Sequence, residues 1–214
     1  MSLQMMQTLS TTLEAKDEYT RGHSYRVAKY AALIAAELGW SPEEIQQLEH
    51  AVYLHDIGKI GIPDLILNNP SRLTEDEYNL IKKHTVIGAE ILKDITFIPH
   101  IVEVARNHHE RYDGNGYPDG LTGDEIPIHA RITAMADSYD AMNSHRIYRN
   151  ALSQEMIREE ISKNRGKQFD PEISDVFLKL MDENRLVLDH QFSLETESAR
   201  QPEIDNTISK FISD

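Results

Sequence analysis

Histidine and aspartate are the residues with most chemistry to offer in this chain. His55-Asp56 runs directly into Gly58-Lys59-Ile60-Gly61-Ile62-Pro63-Asp64, and His108-His109 precedes a long polar loop. His84 stands between these pairs, and His23 opens an earlier helical segment. Asp137 follows the apolar stretch Ile132-Thr133-Ala134-Met135-Ala136, where an unpaired carboxylate would be costly. A lone His-Asp pair at a helix end is ordinarily a solvated surface feature. Five histidines and two aspartates spread over five helical segments instead have the character of a metal centre inside a bundle. Imidazole with carboxylate suits iron, manganese, zinc or nickel, and ligand type alone does not choose among them. His50, off the face of His55, and His100, His129, His145 and His190 read as surface or capping residues.

The second signal is the loop over 110–127, which contains Glu110-Arg111-Tyr112-Asp113-Gly114-Asn115-Gly116-Tyr117-Pro118 and continues through Gly120, Gly123 and Pro127. Loops of this length without structure of their own are uncommon in compact domains and tend to be functional. Glycines let backbone approach a ligand closely.

Composition narrows the chemistry. The chain has no cysteine, which excludes disulfides, thiolate zinc sites, iron–sulfur clusters and cysteine nucleophiles. A formal net charge of −14 argues against a nucleic-acid duplex as partner. Two bound divalent ions would offset about four of those negative charges and leave an anionic substrate possible. The longest apolar stretch, Ala31 to Ala36, is too short for a membrane span, and no secretory signal opens the chain. A cytoplasmic protein is expected.

The elements that must position these residues are helical almost throughout. Leu3, Met6, Leu9 and Leu13 mark a first amphipathic helix, ending near Thr20-Arg21-Gly22. A second is predicted from His23 to Leu38, closed by Gly39. Ser41-Pro42-Glu43-Glu44 starts a third, which should carry Ile45, Leu48, Val52 and His55 and stop at Gly58. Thr74-Glu75-Asp76-Glu77 is a capping box opening one helix through Ile81, His84 and Ile91. Pro99 to His109, 128–143, 153–164 and 171–184 complete the set. No strand and no internal repeat is expected. From Asp189 onward the sequence is polar, with a weak period at Ile204, Ile208 and Ile212, and reads as a tail or a docked helix. The predicted organisation is an N-terminal helix over 1–20, a catalytic domain over 21–188 and an extension over 189–214. The chain opens inside a helical pattern without a cap, which reads as a join to an upstream sensory domain.

The motif from His55 to Asp64, with that from His108 to Pro118, resembles the HD-GYP family, a branch of the HD-domain metal-dependent phosphohydrolases whose bacterial members degrade cyclic di-GMP. Agreement extends from Gly22-His23-Ser24-Tyr25-Arg26-Val27 to Gly166-Lys167-Gln168-Phe169-Asp170-Pro171, most of the chain. The resemblance implies an all-α helical bundle with a Gly/Pro-rich active-site loop. It implies a first metal on His23, His55, Asp56 and Asp137, and a second on Asp56, His84, His108 and His109. Some members hold a third ion through a glutamate one turn before the first histidine. Tyr19 occupies that position here, with Glu18 adjacent, so two ions are expected. The family's Arg-Pro-Tyr is Arg146-Ile147-Tyr148 here, while Arg146 and Arg149, at phosphate-contacting positions, are kept.

Two ions about 3.5–4 Å apart would lower the pKa of a shared water for attack on phosphorus. Lys59 is expected to donate to a phosphate oxygen or the leaving alkoxide. Arg146 and Arg149 are expected to hold a phosphate, and Tyr117 to meet a guanine. The expected reaction is hydrolysis of cyclic di-GMP, or a related cyclic dinucleotide, to pGpG or GMP, with iron or manganese ahead of zinc or nickel. The alternatives are an HD phosphohydrolase for other nucleotides and a non-catalytic module that binds a cyclic dinucleotide or a protein. The N-terminal helix is compatible with a homodimer.

Overall fold

The computed structural model describes residues 3–17, 22–144 and 151–188. These form ten α-helices: α1 (Leu3–Glu14), α2 (His23–Glu37), α3 (Pro42–Val52), α4 (Asp64–Leu67), α5 (Glu75–Lys82), α6 (His84–Leu92), α7 (Ile101–Asn107), α8 (Ile128–Asn143), α9 (Gln154–Asn164) and α10 (Pro171–Asp182). Short 3-10 turns occupy Ile57–Gly61 and Gly123–Glu125. Among the described residues there is no strand, only isolated bridges pairing Asp113 with Thr122 and Arg165 with Phe169. The expected all-α bundle is what forms. No helix among them is long and apolar enough to cross a membrane.

Local chemistry sets the helix starts. Ser41 caps α3 reciprocally with Glu44, and Thr74 caps α5 with Glu77, so two otherwise unpaired amides are satisfied at each start. Asp170 accepts from the amides of Glu172 and Ile173, with Pro171 already fixed in helical φ. Gly39, at φ 82°, follows α2 in a conformation that side chains resist.

α2 packs against both α3 and α8, and α7 lies against α3, α6 and α8. Their shared interior holds Ile34, Leu48, Val104, Ile132, Met135, Ile157 and Phe177, all buried. α1 docks through Met6 and Leu13, while Leu9, expected on the same face, is 43% exposed. The Lys16 ammonium that follows α1 donates to the carbonyls of Lys59, Ile60 and Ile62.

Three boundaries differ from the sequence expectation, and each moves functional residues. α3 stops at Val52 and not at Gly58, so His55 and Asp56 lie in a turn leading into the 3-10 segment. The helix expected from Thr74 to Ile91 is interrupted at Lys83, which places His84 at the first position of α6. The helix expected from Pro99 begins at Ile101, after His100 at φ 60°. The loop over 110–127 is ordered by the Asp113–Thr122 bridge and a Thr122–Glu125 capping box.

Candidate metal centre

Helix ends deliver nearly all of the expected residues to one place. His23 opens α2, His55 and Asp56 follow α3, His84 opens α6, and His108 and His109 follow α7. Asp137 alone comes from the middle of a helix, α8. A glycine makes the convergence possible. A Cβ at Gly58 would lie 1.9 Å from the His84 carbonyl oxygen and 2.5 Å from the Gly88 amide, so only glycine lets this turn meet α6.

The residues fall into two groups whose ligand atoms lie within 4.8 Å of one another: Asp56, His84, His108 and His109 in one, and His23, His55 and Asp137 in the other. Asp56 faces both. Its Oδ1 is 3.3 Å from His84 Nε2 and 3.7 Å from His108 Nε2, while its Oδ2 is 3.5 Å from His55 Nε2. In the other group His23 Nε2 is 3.2 Å from Asp137 Oδ1.

Outward hydrogen bonds fix which nitrogen of each ring points inward. His55 Nδ1 donates to the Val52 carbonyl at 2.7 Å, His84 Nδ1 to Ile81 at 2.7 Å, and His108 Nδ1 to Val104 at 2.9 Å. His23 Nδ1 instead meets Asp140 Oδ2 at 2.8 Å, and Arg26 grips the same carboxylate. With Nδ1 protonated, each Nε2 presents a lone pair. Nε2 of His84 and Nε2 of His108 then face each other at 3.5 Å, two acceptors with no proton between them. His55 Nε2 and Asp56 Oδ1 are buried without any hydrogen-bond partner. Orphaned acceptors of this kind are costly unless a cation satisfies them, so the donor set fits divalent metal and the cluster is able to bind it.

The electrostatics agree. Burial pushes His55 and His84 down to about 4, so both are neutral and ready to ligate. Burial likewise holds His109 well below the usual imidazole range. Burial would raise Asp56, but the adjacent Lys59 ammonium outweighs it and keeps the carboxyl ionised. Burial opposes charge on His23, yet its bonds to Asp137 and Asp140 lift it to about 10. A cation held between His23 and Asp137 would replace that proton.

Lys59 Nζ lies 2.8 Å from Asp56 Oδ2 and 3.0 Å from Asp17 Oδ2. Burial would favour the neutral amine, but these two carboxylates keep it protonated. Tyr117 stacks on His109 with centroids 4.9 Å apart. Lys82 Nζ lies 5.8 Å from the same ring. Arg146 and Arg149, with Tyr19, Ile147, His145 and His190, lie outside the described residues. His50, His100 and His129 do not reach the centre.

Sequence reasoning missed Asp17, Asp140, Lys82 and Glu110. Glu110 is buried and accepts from the amides of Asp119 and Gly120, tying the root of the loop to its far side. A Cβ at Gly116 would come within 2.3 Å of the Arg111 amide, so this loop closes only around glycine. The spacing of Asp140 three residues after Asp137 on a helix was the one available sign, since both must share a face.

Residues 7–173 match the HD domain family. The chain is 44% identical over 173 residues to the cyclic di-GMP phosphodiesterase response regulator RpfG of Xanthomonas campestris, covering 80% of this chain and 46% of that protein. It is 38% identical over 184 residues to a 3′3′-cGAMP-specific phosphodiesterase of Vibrio cholerae, covering 85% and 35%. The chain thus spans less than half the length of either relative. Among solved structures, a cyclic GMP-AMP-specific phosphodiesterase of V. cholerae superposes with a TM-score of 0.66 at 21% identity, over 85% of this chain and 49% of that one.

Proposed function

Because this chain belongs to the HD domain family, in its HD-GYP branch, we propose that it is a metal-dependent phosphodiesterase that opens cyclic di-GMP to pGpG or GMP. The observation that carries the reading is Asp56, whose two oxygens turn towards separate imidazole groups. In this reading His23, His55, Asp56 and Asp137 hold one divalent ion, and Asp56, His84, His108 and His109 hold another, iron or manganese. Such a pair would supply an acidified water and neutralise charge on the phosphoryl oxygens.

The chain's own residues do the rest. Lys59, kept protonated by Asp17 and Asp56, donates to a phosphoryl oxygen or to the leaving alkoxide. Burial keeps the Tyr117 phenol protonated, so in this reading it meets a guanine of the substrate as a hydrogen-bond donor. In this reading Arg146 and Arg149, outside the described residues, hold a phosphate of the substrate. Asp140 and the backbone carbonyls beside His55, His84 and His108 orient the imidazoles.

The relative specific for 3′3′-cGAMP supports a second substrate reading on the same centre. Both are tested by product analysis of protein purified anaerobically and supplied with iron(II) or manganese(II). Cyclic di-GMP should be consumed faster than 3′3′-cGAMP, and neither should be consumed after Asp56→Ala. Preference for 3′3′-cGAMP would move the substrate assignment, and an intact pool of both would remove the phosphodiesterase reading.

A further inference from the structure

A second concentration of imidazole joins the beginnings of α7 and α8. His100 Nδ1 lies 2.8 Å from Glu103 Oε2, and the His100 ring stacks on His129 with centroids 3.7 Å apart and 13° between planes. One ligand atom from each of these three residues lies within 4.8 Å of the others, and none belongs to the groups around Asp56. His100 is held at φ 60°, a left-handed conformation that residues other than glycine resist. Burial, then the neighbouring His100, pushes the His129 imidazole down to about 4, so it is neutral with a lone pair to give. The nearby Glu44 is already committed to the cap on Ser41.

We propose that His100, Glu103 and His129 form a separate site for a borderline transition-metal cation such as Zn²⁺ or Ni²⁺. Two imidazoles and a carboxylate suit these ions, and three protein donors leave one position for water. Binding takes the two rings out of their stack, each turning about its side-chain torsions until the in-plane lone pairs meet at a common point. The His100 and Glu103 side chains are 41% and 47% exposed, so an ion enters directly from solvent and binds less tightly than at the buried centre. His100 and His129 each precede a residue of that centre, His108 and Asp137, by eight positions. An ion here clamps α7 to α8, the segments that lead to one residue in each of its groups.

The only tryptophan of the chain supplies the readout, because the Trp40 ring meets His129 edge-on with centroids 5.0 Å apart. The full chain, first loaded with manganese(II), is titrated with Ni²⁺, an open-shell ion that quenches indole emission at short range. Saturable quenching is expected in the parent protein and equally in Asp56→Ala, since the catalytic groups take no part. In His100→Gln and His129→Gln the apparent affinity should fall at least about tenfold, the smallest loss typical of even an outer-shell partner. Glu103→Gln, at an exposed position, adds a variant that leaves packing intact and should weaken binding in the same direction. Absence of saturable quenching in the parent, or unchanged affinity in these variants, overturns the proposal. Turnover is not read, so this result and the phosphodiesterase assay fail independently.

Discussion

Asp17, just after α1, and Lys59, just after α3, form a 3.0 Å ion pair that bridges 42 positions of sequence and ends at the ammonium touching Asp56. Asp17 is buried, so this is not a screened surface contact. Replacing it with Asn leaves Lys59 anchored by Asp56 alone. About a tenfold fall in kcat is expected, the worth of one charge-assisted hydrogen bond, with metal content unchanged. Steady-state kinetics beside metal analysis checks it, and a co-ordinate loss of metal would show that Asp17 acts on the ligands instead.

Lys59→Met removes the donor itself. The expected loss is about 10²- to 10³-fold in kcat, typical of deleting one donor aimed at developing negative charge. A rate near that of the parent would show that the ammonium only balances Asp56.

Asp140 reaches His23 across 117 positions and is gripped by Arg26 through two nitrogens, at 2.6 and 3.0 Å. Asp140→Ala frees the His23 ring and its tautomer. Metal affinity should fall about 10- to 100-fold, as is usual for a lost outer carboxylate. Calorimetric titration of the metal-free protein measures this directly.

Cation binding should also be visible in stability. At a free concentration a hundred times the dissociation constant, one site adds about 2.7 kcal/mol to the folded state. A chelator should lower Tm in the parent protein, and the shift should shrink in Asp56→Ala. Equal shifts in the two proteins would place the stabilising ion elsewhere.

The loop has its own titration. The Arg111 guanidinium, helped by the Asn115 amide, lowers Asp113 from 3.8 to about 2. The folded value lies below the unfolded one, so the pair's stabilisation is present above pH 3.8 and is lost as pH falls towards 2. Carbon shifts of the Asp113 carboxyl should follow the low value in the parent and return towards 3.8 in Arg111→Ala.

Much of this arrangement is legible in the sequence because its signals are local. Adjacent pairs such as His55-Asp56 and His108-His109 stand out beside glycine, and Ser41 with Glu44 or Thr74 with Glu77 announces a helix start three residues ahead. The break at Lys83 is invisible because the apolar period continues across it, from Ile81 to Ile91. Gly58 reads as a helix stop, whereas its structural demand is the absence of a Cβ against His84. Asp17 carries no local mark, and Asp140 carries only its place three residues after Asp137. Their partners lie 42 and 117 positions away, and only the packing of α1 and α8 against the bundle makes them neighbours.

The position of Asp137, within α8 and long after His23, sets an order on the assembly of the centre. A ribosome that has released residues 23 to 109 has already produced every imidazole of the two groups and one carboxylate. The group that contains Asp137 still lacks its acid, and His23 still lacks the Asp140 that fixes its ring. The His23 group is therefore incomplete until α8 has emerged and docked, whereas every residue of the Asp56 group precedes residue 110.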